Sequence, residues 1–265
     1  MHRISILGCG WLGFPLAKNL IAAGYSVNGS TTSEGKIKDL KIAGISPYLI
    51  NLKSDSFTGD VSAFLGHSDI LLIDIPPKIR TGESFVRKIE GLLQFIIALN
   101  IKKVLFISST SVFSDKNAEV TSETIPDPDT ESGKQLLQTE KLLQSQQLFQ
   151  CTVLRFGGLI ADDRHPVYSL SGKINIENSD KPVNLIHRDD CIRIIQLLID
   201  RDIWGESFNA AAPFHPTRHD YYTAKAIELG LPIPSFNHSK KAAGKNISTD
   251  SLCNILQFQF KYPEL

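Results

Sequence analysis

Short apolar runs and stripes with helical spacing alternate along the chain. The run at 4–7 ends in glycines, and Leu12, Leu16 and Leu20 then repeat at the spacing of one helix face. Further apolar runs predict strands at 25–29, 47–51, 69–75, 103–107, 152–156 and 207–210. Helical periodicity fills the stretches between them, most clearly 84–100. The alternation predicts an α/β fold, a Rossmann-like doubly wound parallel sheet with a small C-terminal lobe.

The turn after the first strand carries the strongest chemical signal. Its glycines have the spacing Gly8-x-Gly10-x-x-Gly13, between a predicted strand and a predicted helix. Gly8 permits a tight turn, Gly10 lets the main chain approach a pyrophosphate, and Gly13 lets the helix pack closely on the sheet. Phosphates would face the N–H groups at the helix start, which includes Trp11 and Leu12. This context predicts a dinucleotide site; the alternative is a glycine turn without a ligand.

The end of the second strand bears on the choice between NAD and NADP. An NAD site usually has an acidic residue there that binds the ribose 2′-hydroxyl. This chain has Ser30, Thr31 and Thr32 instead, and its first acid, Glu34, comes later. Hydroxyls do not repel a 2′-phosphate, and Lys36 could bind it, so the sequence favours NADP. The same hydroxyls would also suit a helix N-cap.

Three further positions lie where predicted strands end, at the carboxyl edge of the sheet, where ligands bind in such folds. Pro76 follows the fourth strand, Ser108 the fifth, and Phe156 ends the sixth. We expect them beside the cofactor. A polar strand end that only satisfies main-chain groups would explain Ser108 equally well.

Composition narrows the class of protein. The 265 residues hold 28 Lys and Arg against 28 Asp and Glu, so no basic surplus points to nucleic acid or anionic lipid. The four cysteines lie far apart, which argues against a metal site or a disulfide framework and suits a reducing cytoplasm. No apolar run is long enough to cross a membrane, and the chain enters a strand too early for a signal peptide. We expect a cytoplasmic protein with a small-molecule substrate and no metal.

The pattern divides the chain into two parts. Residues 1–161 form the nucleotide-binding domain, and 182–211 return to it. The segments 162–181 and 212–265 are polar or rich in Pro, His and Lys, which predicts a small substrate-binding lobe.

The chain resembles the extended branch of the short-chain dehydrogenase/reductase superfamily, the NAD(P)-dependent epimerases and dehydratases. The resemblance covers nearly the whole chain and rests on the glycine turn and on 108–113, 154–157 and 186–190, the last with the pattern Ile-His-x-Asp-Asp. It implies a nicotinamide cofactor, a sugar or nucleotide-sugar substrate hydrogen-bonded by Ser109, and a possible homodimer.

Two departures make the chain an atypical member of that superfamily. The family's glycine motif is Gly-x-x-Gly-x-x-Gly, one residue longer than the motif at 8–13. The family's catalytic pair is Tyr-x-x-x-Lys. Lys134 stands where the Lys belongs, but Thr130 stands four residues before it and the region has no Tyr. A Thr hydroxyl is too weak an acid to exchange the substrate proton near neutral pH. Ser109 and Lys134 remain the candidate catalytic residues.

Candidate substrate contacts lie in the predicted lobe. Arg164 suits a phosphate or carboxylate, and a surface salt bridge is the alternative. His165 and Tyr168 could replace the missing proton donor. Two functions therefore stay open: an NADP-dependent oxidoreductase or epimerase with a non-standard proton donor, or a non-catalytic dinucleotide-binding sensor or partner-binding protein.

Overall fold

The computed structural model describes residues 2–77, 82–116, 118–239 and 243–264. The strands are β1 (Arg3–Leu7), β2 (Ser26–Thr31), β3 (Ser46–Leu49), β4 (Asn51–Leu52), β5 (Phe57–Thr58), β6 (Ile70–Ile73), β7 (Lys103–Ser109), β8 (Glu119–Val120), β9 (Gln150–Phe156), β10 (Gly158–Ile160), β11 (Leu185–His187), β12 (Ser207–Ala210) and β13 (Asn246–Ile247). The helices are α1 (Gly13–Ala22), α2 (Ile37–Ile42), α3 (Val61–Leu65), α4 (Phe85–Ala98), α5 (Glu131–Gln144), α6 (Pro166–Leu170), α7 (Arg188–Asp200), α8 (Arg218–Glu228) and α9 (Asp250–Leu256). Within the described ranges, no helix has both the length and the hydropathy needed to cross a membrane.

Seven strands form the central sheet in the order β12-β9-β7-β6-β1-β2-β3. The neighbours from β7 to β3 pair in parallel. The chain runs from β1 through β2 to β3 at one edge, and then continues from β6 on the other side of β1. The prediction of a doubly wound α/β sheet is confirmed. The reversal of strand order lies between β1 and β6, and at such a reversal a crevice opens outside the carboxyl ends of the strands.

The two strands at this reversal are buried on both faces. Ile4 and Ile6 of β1 and Leu72 of β6 have no exposed surface. Parallel strands covered by helices on both sides read as continuous apolar runs, which explains why these segments show no polar alternation. Leu16 and Leu20 of α1, spaced four residues apart, are also fully buried. The glycine turn therefore connects two elements that the core holds rigidly.

A buried ion pair links three elements in the half of the sheet that lies beyond β6, away from β1. The guanidinium of Arg155 on β9 donates through Nε and Nη2 to the carboxylate of Glu140 on α5, with a shortest distance of 2.7 Å. The hydroxyl of Ser108 on β7 donates to the same carboxylate at 2.5 Å. All three residues are buried. Because the hydrogen bonds compensate the buried charges, the network fixes α5 against β7 and β9.

Two compact units divide the chain. The first comprises Met1–Val112, Pro128–Arg155 and Ile192–Phe208, and the second comprises Phe113–Asp127, Phe156–Cys191 and Asn209–Leu265. The second contains both segments expected to form the small lobe, 162–181 and 212–265. Of the segment 182–211, only 192–208 belongs to the first unit. That the second unit binds the substrate stays a prediction.

Candidate functional site

The glycine turn between β1 and α1 is a place where main-chain segments touch. Gly8 has a φ of +110°, and a Cβ atom built on it would lie 2.2 Å from the carbonyl oxygen of Asp74, just after β6. A Cβ built on Gly13 would lie 2.2 Å from the carbonyl oxygen of Gly8. Both distances are far below van der Waals contact. These two glycines are therefore required by the fold, whether or not a ligand binds.

Gly10 differs from its two neighbours in the motif. A Cβ built on it would have no heavy atom within 4 Å, and its φ lies outside the left-handed region that favours glycine. The residue is exposed, and it lines a cleft at the end of the sheet. Nothing in the described fold requires glycine at this position. Gly10 instead leaves the main chain open to close approach by a ligand, as a pyrophosphate site needs.

The cleft that begins at the glycine turn has a volume of about 330 Å³, within the range of roughly 300–1,000 Å³ typical of small-molecule sites. Its described walls come from the first unit, at the ends of β1, β2, β3 and β6, at β4, and around the start of α4. They are formed by Leu7, Gly8, Cys9, Gly10, Ser30, Thr31, Thr32, Lys36, Ile50, Asn51, Leu52, Lys53, Asp74, Ile75, Pro76, Glu83, Phe85 and Lys88. The fold thus brings together seven of the residues expected to bind the cofactor. Those seven are Gly8, Gly10, Ser30, Thr31, Thr32, Lys36 and Pro76.

The hydroxyl-rich end of β2 also supports the turn. The Oγ of Ser30 accepts the main-chain N–H of Gly8 at 2.9 Å, and the carbonyl of Ser30 accepts the N–H of Cys9 at 2.8 Å. The Oγ1 of Thr31 accepts the N–H of Ser33 at 3.1 Å. Ser30 and Thr31 are buried, whereas Thr32 is exposed at the cleft. Ser30 and Thr31 therefore shape the cleft through bonds to the main chain, whereas the sequence suggested such bonds only as a helix N-cap.

Sequence reasoning missed two polar contributors to the cleft. Asn51 is the first residue of β4, two residues beyond the end of β3, and Asp74 follows β6; both line the wall. Each is the first polar residue after an apolar strand, which was the available signal. What the sequence could not supply is the strand order, which brings β3 beside β2 and β6 beside β1.

Asp74 has unusual electrostatics. Its carboxylate accepts the main-chain N–H of Gly13 at the start of α1, yet burial outweighs that bond and raises the pKa of the carboxyl to about 7. Burial, together with the charge of Asp74, raises the pKa of Cys9 to about 12, so that thiol stays protonated. Lys88, also on the wall, is paired with Glu83.

Trp11, Leu12 and Gly13 take the chain from the cleft into α1. Leu12 precedes the helix at its N-cap position and is buried, and Trp11 is half-buried. Gly13 is buried against Gly8 and Asp74. None of these three residues is on the described wall of the cleft, so their expected cofactor contacts would come from the main chain.

The candidate catalytic residues belong to two segments that meet within the first unit. Gly133 in the first turn of α5 lies so close to Ser111 that a Cβ on Gly133 would be 2.2 Å from the Ser111 carbonyl oxygen. This contact brings the segment of Ser109 beside the segment of Lys134. The Oγ of Ser109 accepts the N–H of Ser111 at 3.1 Å, and Lys134 is exposed.

Two nearby hydroxyls serve the fold. Thr130, at the position of the family's Tyr, is the N-cap of α5, and its Oγ1 accepts the N–H of Gly133 at 3.1 Å. Ser108, expected at the cofactor, donates its hydroxyl to Glu140 in the core, so only its main chain could contact a ligand. Phe156, the other expected contact, is a buried residue at the end of β9.

The three predicted substrate residues belong to the second unit. The Nδ1 of His165 accepts the N–H of Val167 at 3.1 Å, which caps α6, and Nε2 lies 2.9 Å from the hydroxyl of Tyr221. Burial, and then the charge of Lys225, lowers the pKa of His165 to about 4, so the ring is neutral at pH 7. Arg164 is exposed. Tyr168 is half exposed, and its hydroxyl donates to the carbonyl of Asp162 at 3.3 Å.

Comparison with known proteins finds similarity to protein YeeZ of two Escherichia coli strains by sequence, and to several solved structures. The chain is 34% identical to protein YeeZ of Escherichia coli K12 over all of this chain and 97% of that protein. No family model matches the chain.

Two solved structures share the fold. A short-chain dehydrogenase/reductase superfamily protein of Agrobacterium tumefaciens with bound NAD has a TM-score of 0.80 at 17% identity, covering 98% of this chain and 93% of that one. The UDP-glucuronic acid 4-epimerase of Bacillus cereus in complex with NAD has a TM-score of 0.81 at 18% identity, covering 98% and 91%. The predicted extended short-chain dehydrogenase/reductase fold is confirmed.

The three glycines should respond differently to alanine. We expect Gly8→Ala to lower the free energy of unfolding by roughly 2–4 kcal/mol through backbone strain and the clash with Asp74. Gly13→Ala should lower it by roughly 1–3 kcal/mol through its clash with Gly8. Gly10→Ala should change it by less than about 0.5 kcal/mol. Urea unfolding of the three variants measures these free energies. If Gly10→Ala lost as much stability as Gly8→Ala, the conclusion that the fold does not require glycine at position 10 would be wrong.

Proposed function

The chain belongs to the family of the Escherichia coli protein YeeZ and has the fold of the short-chain dehydrogenases/reductases, and on that premise we propose that the protein is an NADP-dependent oxidoreductase or epimerase. Its substrate is a polar small molecule such as a sugar or nucleotide-sugar derivative. The observation that carries the proposal is the open space beside Gly10. A Cβ at this position would meet no atom within 4 Å, yet the sequence has glycine where a pyrophosphate would approach.

The cleft has the parts that an adenosine diphosphate moiety needs. The glycine turn and the first N–H groups of α1 suit the pyrophosphate. The buried Leu52 and the exposed Asn51, an apolar surface beside an amide, suit the face and edge of adenine. Thr32 and Lys36 lie on the wall where β2 ends, which is the ribose position in this fold.

The charges on the wall support NADP over NAD. Its acids within the described residues are Asp74 and Glu83, and neither lies at the end of β2. Lys36 does lie beside that end, and it is exposed. A 2′-phosphate there would meet hydroxyls and an ammonium group, with no carboxylate from β2 to repel it.

The chemistry of the substrate side is also a proposal. When bound, the dinucleotide supplies or accepts a hydride. The chain's own groups would then orient the substrate hydroxyl through Ser109, hold the nicotinamide ribose through Lys134, and bind a substrate anion through Arg164. Because Thr130 is used as a helix cap and cannot act as a base, the proton has to go to another group, for which Tyr168 is our candidate.

The use of Thr130 as a helix cap favours a second candidate function as well. A chain that keeps the dinucleotide cleft but uses the position of the proton donor to cap α5 would suit a non-catalytic binding protein that senses the cofactor. Turnover separates the two functions: an enzyme should lose turnover when Ser109 and Lys134 are replaced by alanine, whereas a sensor would have none in the wild type.

Assembly and location complete the proposal. A homodimer through α4 is supported by exposed apolar side chains near the end of that helix, where Ile97 is 40% exposed. The four cysteines are free thiols in the structure, which suits the reducing cytoplasm.

The first test is cofactor binding. The wild-type chain should bind NADH and NADPH, read as energy transfer from tryptophan to the nicotinamide, and Gly10→Ala should weaken both at least about tenfold because its methyl group occupies the pyrophosphate approach. Gly35→Ala is the matched control: a Cβ there would meet only the Oγ of Ser33, at 3.9 Å, and Gly35 lies off the cleft wall. If Gly10→Ala binds as tightly as the control, the glycine turn is not the binding site.

The second test concerns the 2′-phosphate. NADPH should bind more tightly than NADH, and Lys36→Gln should weaken NADPH about tenfold while changing NADH little, because only NADPH loses a charged partner. Lys38→Gln removes an exposed lysine two residues away that is not on the wall. An equal loss of NADPH affinity in Lys36→Gln and Lys38→Gln, or tighter binding of NADH than of NADPH by the wild type, would overturn the NADP preference.

A further inference from the structure

The carboxyl group of Asp74 lies where a dinucleotide's pyrophosphate is expected. Its main-chain N–H donates to the carbonyl of Leu7 at 2.9 Å, which continues the pairing of β6 with β1. Its carboxylate accepts the N–H of Gly13, and its Oδ2 would lie 3.2 Å from a Cβ on that glycine. The residue lines the same cleft as Gly8 and Gly10. One of the donors at the start of α1 therefore already has an acidic partner from within the chain.

Among the described residues, no titratable group around Asp74 forms an ion pair with it. The glycine turn contributes Cys9, whose thiol is protonated. The other titratable groups on the described wall are Lys36 after β2, Lys53 after β4, and Lys88 with its partner Glu83 at the start of α4. Burial and the Gly13 N–H are the influences that set the charge of Asp74. Lys78 and Arg80, which follow in sequence, lie outside the described residues.

An ionised carboxylate and a pyrophosphate at the same helix start would repel each other at close range. A neutral carboxylic acid would do the opposite, because it has one oxygen to accept the Gly13 N–H and one hydroxyl to donate. We propose that Asp74 binds the dinucleotide as the neutral acid, keeping the N–H of Gly13 and donating its own proton in a hydrogen bond to a pyrophosphate oxygen. This inference rests on the proposed function, and it assigns a binding role to a residue outside the glycine motif.

The proposal has a thermodynamic consequence. Asp74 without ligand has a pKa near 7, and a bound pyrophosphate raises that pKa further. Above pH 7 the protein must therefore take up a proton from solvent when the dinucleotide binds. The apparent affinity should fall by up to tenfold for each pH unit above 7, and should level off below 7, where the acid is already protonated.

The experiment is a titration with NADH at pH 6, 7.5 and 9, since NADH has no group of its own that titrates in this range. We expect the dissociation constant of the wild type to be up to about a hundredfold larger at pH 9 than at pH 6. Asp74→Asn, which keeps the acceptor for Gly13 and adds a permanent donor, should bind with nearly constant affinity. Asp69→Asn removes a carboxylate just before the same strand and away from the cleft, and it should retain the pH dependence.

The proton can also be counted directly in the unmodified chain, in case the Asp74 variant does not fold. Calorimetry at pH 8 in two buffers with different ionisation enthalpies should show uptake of close to one proton per NADH bound. Affinity that is constant across pH in the wild type, no proton uptake, or a pH dependence that persists in Asp74→Asn would each overturn the role of Asp74 and leave the dinucleotide site standing. Absence of NADH binding at every pH in both chains would overturn the proposed function and this inference together.

Discussion

The contact of three main-chain segments at the glycine turn is the constraint on which the site depends. The carbonyl of Asp74 touches Gly8, and the carbonyl of Gly8 touches Gly13, with no space for a side chain at either glycine. This contact sets the end of β6 against the turn and the turn against the start of α1. The cleft exists because these segments are held together while Gly10, which lies between the two glycines, has open space beside it.

The surrounding groups extend this arrangement outward. Ser30 binds Gly8 through its side chain and Cys9 through its carbonyl, so the end of β2 is tied to the same turn. On the far side of β6, the network of Ser108, Glu140 and Arg155 fixes β7, α5 and β9. A rigid frame of this kind allows one buried carboxyl to keep an abnormal pKa, because the surroundings cannot relax to solvate its charge.

The sequence predicted what is local and missed what the topology brings together. The strand, glycine turn and helix at the start of the chain follow from spacing alone, and the hydroxyls of β2 lie at the cleft as expected. Asp74 and Asn51 could not be assigned, because their place in the cleft depends on which strands are neighbours. Ser108 was expected beside the cofactor, but its hydroxyl donates to the buried Glu140. Adjacent side chains on a strand face opposite ways, and the sequence did not reveal which way Ser108 faces.

Whether the glycine-lined cleft is the dinucleotide site can be measured by mapping the amide chemical-shift changes on adding NADH to the isotopically labelled protein. We expect the largest changes at residues 8–13, 30–32, 51–53 and 74–75, which surround the cleft. Changes centred on the opposite edge of the sheet, around Tyr25 and Asp202, or no changes at saturating NADH, would contradict it.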